Sequence, residues 1–224
     1  MNEMLLLVEI IVFFGSLLIV GKFLKLSGIY AWITVATCLA EIQLTKSVGI
    51  FGLECSMGNV LFASTFLATD IIRENYGYEE SKKGPLFSLL GALIYVFFAI
   101  LTPLFIPTEW DTIHDGMNAM LSVSVRATSA SVLCLFIANW LDVRLYNGLY
   151  NLTKGKFVFL RNNVSTIISN CSENFLLFLI GFWGLPGYDL KTCLIIALCC
   201  SFIESIIALL DTPFVYLSKK LYKK

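Results

Sequence analysis

Asn162, Thr166, Ser169 and Glu173 recur at spacings of 4, 3 and 4 residues. At about 100° per residue a helix places all four on one face. Ser165 and Asn170 flank the same stripe, and the residues around it are largely apolar. Such a face cannot point at lipid. It either bonds to a neighbouring helix or lines a site. The carboxylate of Glu173 favours a site, because hydrogen bonds between helices rarely need one. A second set, Ser201, Glu204, Ala208 and Asp211, follows the same helical spacing and leads into Thr212-Pro213. Proline lacks a backbone donor and frees carbonyls, which are tolerated where they meet a cavity or a neighbouring helix.

Other ionisable groups lie in apolar surroundings. Thr69 and Asp70 could offer acceptors to a ligand, or Asp70 could pair with Arg73, three residues on. Arg126 precedes Ala127-Thr-Ser-Ala-Ser131 and needs either a carboxylate or a bound anion. Asn139 and Asp142 follow towards the end of the same run. An ionisable side chain at a bilayer centre costs at least about 2.5–3.5 kcal/mol, so such residues persist where they meet a cavity or a partner. Asp70, Arg126, Glu173 and Glu204 together could furnish one polar pocket. Carboxylates beside amides suit a heterocycle that donates from adjacent N–H groups, and a guanine-like edge is compatible with that pattern.

Bond-breaking chemistry has little to work with. His114 is the only histidine, and the seven cysteines form no CxxC pair, so no metal site or serine–histidine pair is expected. The cysteines read as small buried hydrophobes. Gly15 to Gly21, followed by Lys22-Phe23, lacks the spacing and hydroxyl of a phosphate loop. No cofactor is implied. Charge is balanced and the lysines sit beside apolar runs, which gives no case for nucleic acid.

These residues must be held by membrane helices. The chain is 58% hydrophobic and 14% charged, against about 25% charged in soluble domains. Roughly 20 apolar residues cross a bilayer. Seven runs qualify, near 4–22, 28–45, 50–72, 85–106, 118–141, 163–185 and 190–217. The second and third are weakest, since Glu41, Lys46 and Glu54 interrupt them. The expected fold is an all-α polytopic bundle of about seven spans, or six, forming one transmembrane domain over 1–224. Met1 to Met4 carries Glu3 and no basic residue, so the first run reads as a retained helix. With seven spans, thirteen of the sixteen basic residues fall on one side. The positive-inside rule then puts the C-terminus in the cytoplasm and the N-terminus outside. The longest loop, roughly 142–162, is too short for a nucleotide-binding domain.

At these same residues the chain resembles the queuosine precursor transporter family, also called the vitamin uptake transporter family. The resemblance runs from about Ala31 to Leu217. It is carried by Ala63-Ser-Thr-Phe-Leu-Ala-Thr-Asp70 with Glu74-Asn-Tyr-Gly77, by Arg126 with Ala130-Ser131, and by Leu141-Asp142-Val143. Leu160-Arg-Asn-Asn-Val-Ser-Thr166 and Leu210-Asp-Thr-Pro-Phe-Val-Tyr216 complete it. It implies import of 7-deazaguanine compounds across the bacterial inner membrane for tRNA queuosine modification. It also adds Arg161 and Asn139 to the substrate residues. Asn139 stands where the family usually has Gln, Asn170 where Gln or Asn occurs, and Glu173 where Asp is common. Glu204 stands where many members have Lys, and this reversal is expected to favour a cationic ligand over a neutral nitrile.

Two other readings stay open beside the transporter. One is a substrate-binding membrane subunit for a vitamin-like molecule that needs a separate ATPase module. The other is an intramembrane enzyme, which the missing histidines and metal ligands disfavour. The lipid bilayer and a small molecule are the expected partners, with a homo-oligomer also open.

Overall fold

The computed structural model describes residues 1–121 and 125–222. Its first helix, α1 (Asn2–Gln43), is a hairpin rather than a rod. Lys25 has φ 54° and ψ −143°, far from helical values. The Gln43 side-chain amide donates to Glu9 at 3.1 Å, whereas a straight helix would hold them about 50 Å apart. Phe13 and Trp32 likewise face one another, with ring centroids 6.5 Å apart. The turn can close because Gly28 lacks a Cβ, which would lie 2.5 Å from Leu24 Cβ and 2.9 Å from the Val20 carbonyl oxygen. The first two apolar runs are therefore antiparallel arms joined at Lys25.

The third run differs from expectation at its start. Residues near 50 form an antiparallel hairpin, β1 (Ser47–Ile50) with β2 (Leu53–Ser56). Phe51 and Gly52, both at positive φ, make the tight two-residue turn that suits paired strands. The helix begins later, as α2 (Asn59–Tyr76). Every residue from Asn59 to Ile72 is buried, so α2 sits in the middle of the bundle. It need not be apolar, because its neighbours and not lipid surround it.

A short helix, α3 (Tyr78–Ser81), leads to α4 (Gly84–Leu101), which tightens into a 3₁₀ turn at Thr102–Leu104. Next come α5 (His114–Leu121) and α6 (Val125–Leu152). Ser122 to Ser124, inside the expected fifth span, lie outside the described residues, as do Lys223 and Lys224 of the basic tail. Because α6 continues to Leu152, the expected 142–162 loop shrinks to a tight turn, with Lys154, Gly155 and Phe157 at positive φ. Then come α7 (Val158–Leu176), a π-helical turn (Leu177–Phe182) and α8 (Leu190–Leu221).

Helix α1 packs on α2 and α4, α7 lies between α6 and α8, and α8 also contacts α2. Leu5, Val8, Ile11, Leu90, Phe97 and Phe202 point outward. Among the described residues five segments, Asn2–Gln43, Tyr78–Leu104, Ser129–Leu152, Val158–Phe182 and Leu190–Leu221, are long and apolar enough to cross a bilayer. The first folds back on itself, and α2 is too polar to join them. The chain is a multi-pass membrane helix bundle, as its apolar runs imply.

Candidate substrate site

Buried polar side chains form a column along the middle of the bundle. At the end near the β-hairpin, Glu41 of α1 is buried and accepts a hydrogen bond from Ser131 of α6 at 3.1 Å. Both line a cavity of about 350 Å³, together with Glu54, Tyr95, Phe178 and Tyr188. Glu173 of α7 lies within electrostatic reach of Glu41 and of Glu204 on α8. Asn174 holds Glu204 through a 2.6 Å hydrogen bond. The hydroxyl of Ser201, one turn from Glu204, is buried without a partner among the described residues.

Deeper in the bundle, α2, α6, α7 and α8 converge. The Asn162 amide donates to Asp211 at 2.6 Å, and the Asn163 amide donates to Thr212 at 2.8 Å. Thr166 donates to Asp142 at 3.3 Å. Asp70 lies within electrostatic reach of both Asp142 and Asp211. One carboxylate oxygen of each of these three aspartates has no hydrogen-bond partner among the described residues. The side-chain oxygens of Asn162, Asn163, Ser169 and Asn170 are equally unpartnered. Buried polar atoms are ordinarily paired, and each orphan costs roughly 1–3 kcal/mol. A row of orphaned acceptors is chemically suited to a ligand rich in N–H donors.

An ion-pair network closes the end of the column away from the β-hairpin. One oxygen of Glu74 accepts from the Arg161 guanidinium and, at 2.9 Å, from the Tyr146 hydroxyl. Its other oxygen accepts from Lys219 at 2.7 Å. Arg161 also donates to the Lys156 carbonyl at 2.8 Å and lies over the Tyr150 ring. Four helices are thus tied together at one level.

The residues expected to bind substrate fall into separate places. Asp70, Asn162, Thr166 and Asp211 are brought together in the deep cluster. Asn139 is buried at the level of α2, with Thr65 donating to it at 3.5 Å. Ser169 and Asn170 lie between this cluster and the pair Glu173 and Glu204. Thr69 is buried against α4, where a Cβ on Gly84 would meet its methyl group, and its hydroxyl turns back to the Phe66 carbonyl. Arg161 is engaged by Glu74. Arg126 stands apart and exposed, donating to the carbonyls of Ile180 and Trp183 at 2.8 and 2.9 Å. Those carbonyls lie where the π-helical turn ends, so Arg126 caps that turn. Arg73 donates to Asn147 at 2.8 Å and lies over the Tyr150 ring, which directs it away from Asp70.

Glu41, Tyr95, Ser131 and Asn174 stand in or beside the site without being expected there from their spacing. Glu41 carries a signal, as the one acid inside an otherwise apolar run, but there it reads only as an interruption. Asn174 falls one residue off the α7 stripe. Tyr95 and Ser131 carry no periodic signal.

Residues 56–218 match the family described as "Putative vitamin uptake transporter". The chain is 30% identical over 197 residues to the Bacillus subtilis (strain 168) protein named "Probable queuosine precursor transporter". That match covers 87% of this chain and 84% of the relative. No solved structure matches the chain.

Proposed function

Since the chain belongs to the vitamin uptake transporter family, we propose that it imports a queuosine precursor or queuine across the bacterial cell membrane. The ligand is a 7-deazaguanine base destined for tRNA queuosine modification. The observation that carries this reading is the row of unpartnered buried acceptors from Ser201 to Asp211, Asp70 and Asn162. A 7-deazaguanine donates from N1, from its exocyclic amine and from its pyrrole nitrogen, and so complements such a row. The name of the Bacillus subtilis relative points to the same ligand class.

In this reading the chain is a transporter and not an enzyme, and residues 1–224 act as one transmembrane domain. The two arms of α1 and helices α2, α4, α6, α7 and α8 each cross the bilayer. The β-hairpin end faces outward, the C-terminus faces the cytoplasm, and the Glu74–Arg161–Lys219 network bars the inner exit. Substrate enters at the cavity, moves along Glu173, Glu204 and Asn170, and reaches Asp70, Asn162 and Asp211. Opening of the network then releases it. The test is uptake of labelled 7-deazaguanines by a host lacking its own transporter, followed by uptake into vesicles holding only this chain. Uptake by the host but not by the vesicles would make the chain a binding subunit of a larger assembly. No uptake of any 7-deazaguanine by a host that displays the protein in its membrane would overturn the substrate.

A further inference from the structure

Three carboxylates, Glu41, Glu173 and Glu204, gather beside the cavity at the β-hairpin end, and Glu54 lines it as well. No lysine, arginine or histidine lines that cavity among the described residues. Glu204 is met by the Asn174 amide, and Glu41 by the Ser131 hydroxyl, both neutral donors. Buried carboxylates are ordinarily paired with a cation. A second feature points to a ligand independently. Tyr95 is 4% exposed and its hydroxyl has no hydrogen-bond partner among the described residues, yet it lines the same cavity. Phe178, Phe182 and Tyr188 form a continuous aromatic wall there, with successive ring centroids 5.2 and 5.1 Å apart. The volume of about 350 Å³ lies within the range of small-molecule sites.

Resting on the transport reading above, we propose that this cavity is the loading site, and that Glu41 with Tyr95 selects a flat heteroaromatic bearing an ammonium arm over its neutral nitrile counterpart. The ring lies against the aromatic wall, where stacking and cation–π attraction add to shape. The ammonium meets the Glu41 carboxylate, and the Tyr95 hydroxyl takes a ring or arm nitrogen as its missing partner. Discrimination therefore begins at Glu41, before substrate meets Glu204.

Binding of aminomethyl and cyano 7-deazaguanine is measured by calorimetry on the full chain in lipid nanodiscs, with cellular uptake in parallel. The wild type should bind the amine roughly tenfold or more tightly than the nitrile, the scale of one desolvated charge pair. Glu41→Gln should erase that preference by weakening amine binding roughly tenfold or more. Tyr95→Phe, which keeps the ring and the packing, should weaken the amine by about threefold or more. If the wild type lacks the preference, or Glu41→Gln keeps it, the inference is overturned and the transport reading stands. Full amine affinity in Tyr95→Phe overturns the role of Tyr95. If neither compound is bound or taken up, the transport reading falls and this inference falls with it.

Discussion

The Arg161 guanidinium is wholly buried against the Glu74 carboxylate, whose own side chain is 2% exposed. Lys219 meets the other oxygen of the same carboxylate but is 38% exposed. The two cations are therefore unequal. Arg161→Ala leaves a buried carboxylate without its main partner and should cost about 3–5 kcal/mol. Lys219→Ala removes a half-hydrated partner and should cost about 1 kcal/mol or less. Thermal unfolding in detergent checks the order, and equal losses in the two variants would show that water reaches Glu74 freely.

Uptake should depend on the column more than on the Arg126 cap. Glu173→Ala should lower uptake of a 7-deazaguanine by about tenfold or more, with the protein still present in the membrane. Arg126→Lys keeps a cation able to reach the Ile180 and Trp183 carbonyls, and uptake should stay within about threefold. Transport at the wild-type rate by Glu173→Ala would remove Glu173 from the path.

Two glycines should respond in opposite directions to alanine. A Cβ at Gly91 would lie 2.4 Å from the Thr34 carbonyl oxygen, which is backbone and cannot swing aside. Gly91→Ala should prise α4 from α1 at a cost of about 1–3 kcal/mol. Gly148 lies inside α6 with nothing within 4 Å of its would-be Cβ. There alanine should be neutral or stabilise by up to about 1 kcal/mol. Melting curves of the two variants decide the matter, and a loss at Gly148 as large as that at Gly91 would contradict the packing.

Asp189 caps the start of α8, with its side chain accepting from the Thr192 backbone N–H at 2.8 Å. The Thr192 side chain, and after it that backbone N–H, hold its carboxyl below the ordinary value of 3.8. A carboxyl lowered on folding stabilises the fold above its unfolded pKa and loses that contribution as pH falls through the folded one. The cap is therefore intact at neutral pH and weakens only below about pH 4. Asp189→Asn keeps an acceptor without the titration. Its melting temperature should track the wild type at neutral pH and fall less steeply in acid. Identical acid slopes would remove the cap from the account.

Tags on the two termini should be accessible from opposite sides of the membrane. The seven crossings proposed above require this, and by the positive-inside rule the cluster of Lys219, Lys220, Lys223 and Lys224 is expected to hold the C-terminal tag in the cytoplasm. Both tags on one side would show that one arm or helix does not cross.

The polar stripe of α7 was readable because helical spacing alone puts Asn162, Thr166, Ser169 and Glu173 on one face, and the helix does present them to the column. The apolar runs of α4 and α8 were readable for a similar reason, since lipid demands long apolar stretches. Helix α2 was harder, because a hydropathy scan assumes that a span touches lipid and this one touches only protein. The pairing of Glu74 with Arg161 joins residues 87 apart in the chain, and local spacing carries no trace of it. The capping contacts of Arg126 were hidden for a related reason. Its carbonyl partners exist only because the chain widens into a π-helical turn after Leu176, a backbone event that side-chain patterning does not record.

The turn at Lys25 also bears on how the protein enters its membrane. A single non-helical residue separates the arms of α1, so no hydrated loop stands between them during synthesis. The quantity that partitions from water into lipid is then the hairpin, with Lys22 and Lys25 exposed at its tip. Each arm covers part of the other's backbone as they go in. A charge placed in either arm would accordingly penalise the insertion of both, and biogenesis would fail as a unit where a looser connection would lose only one helix.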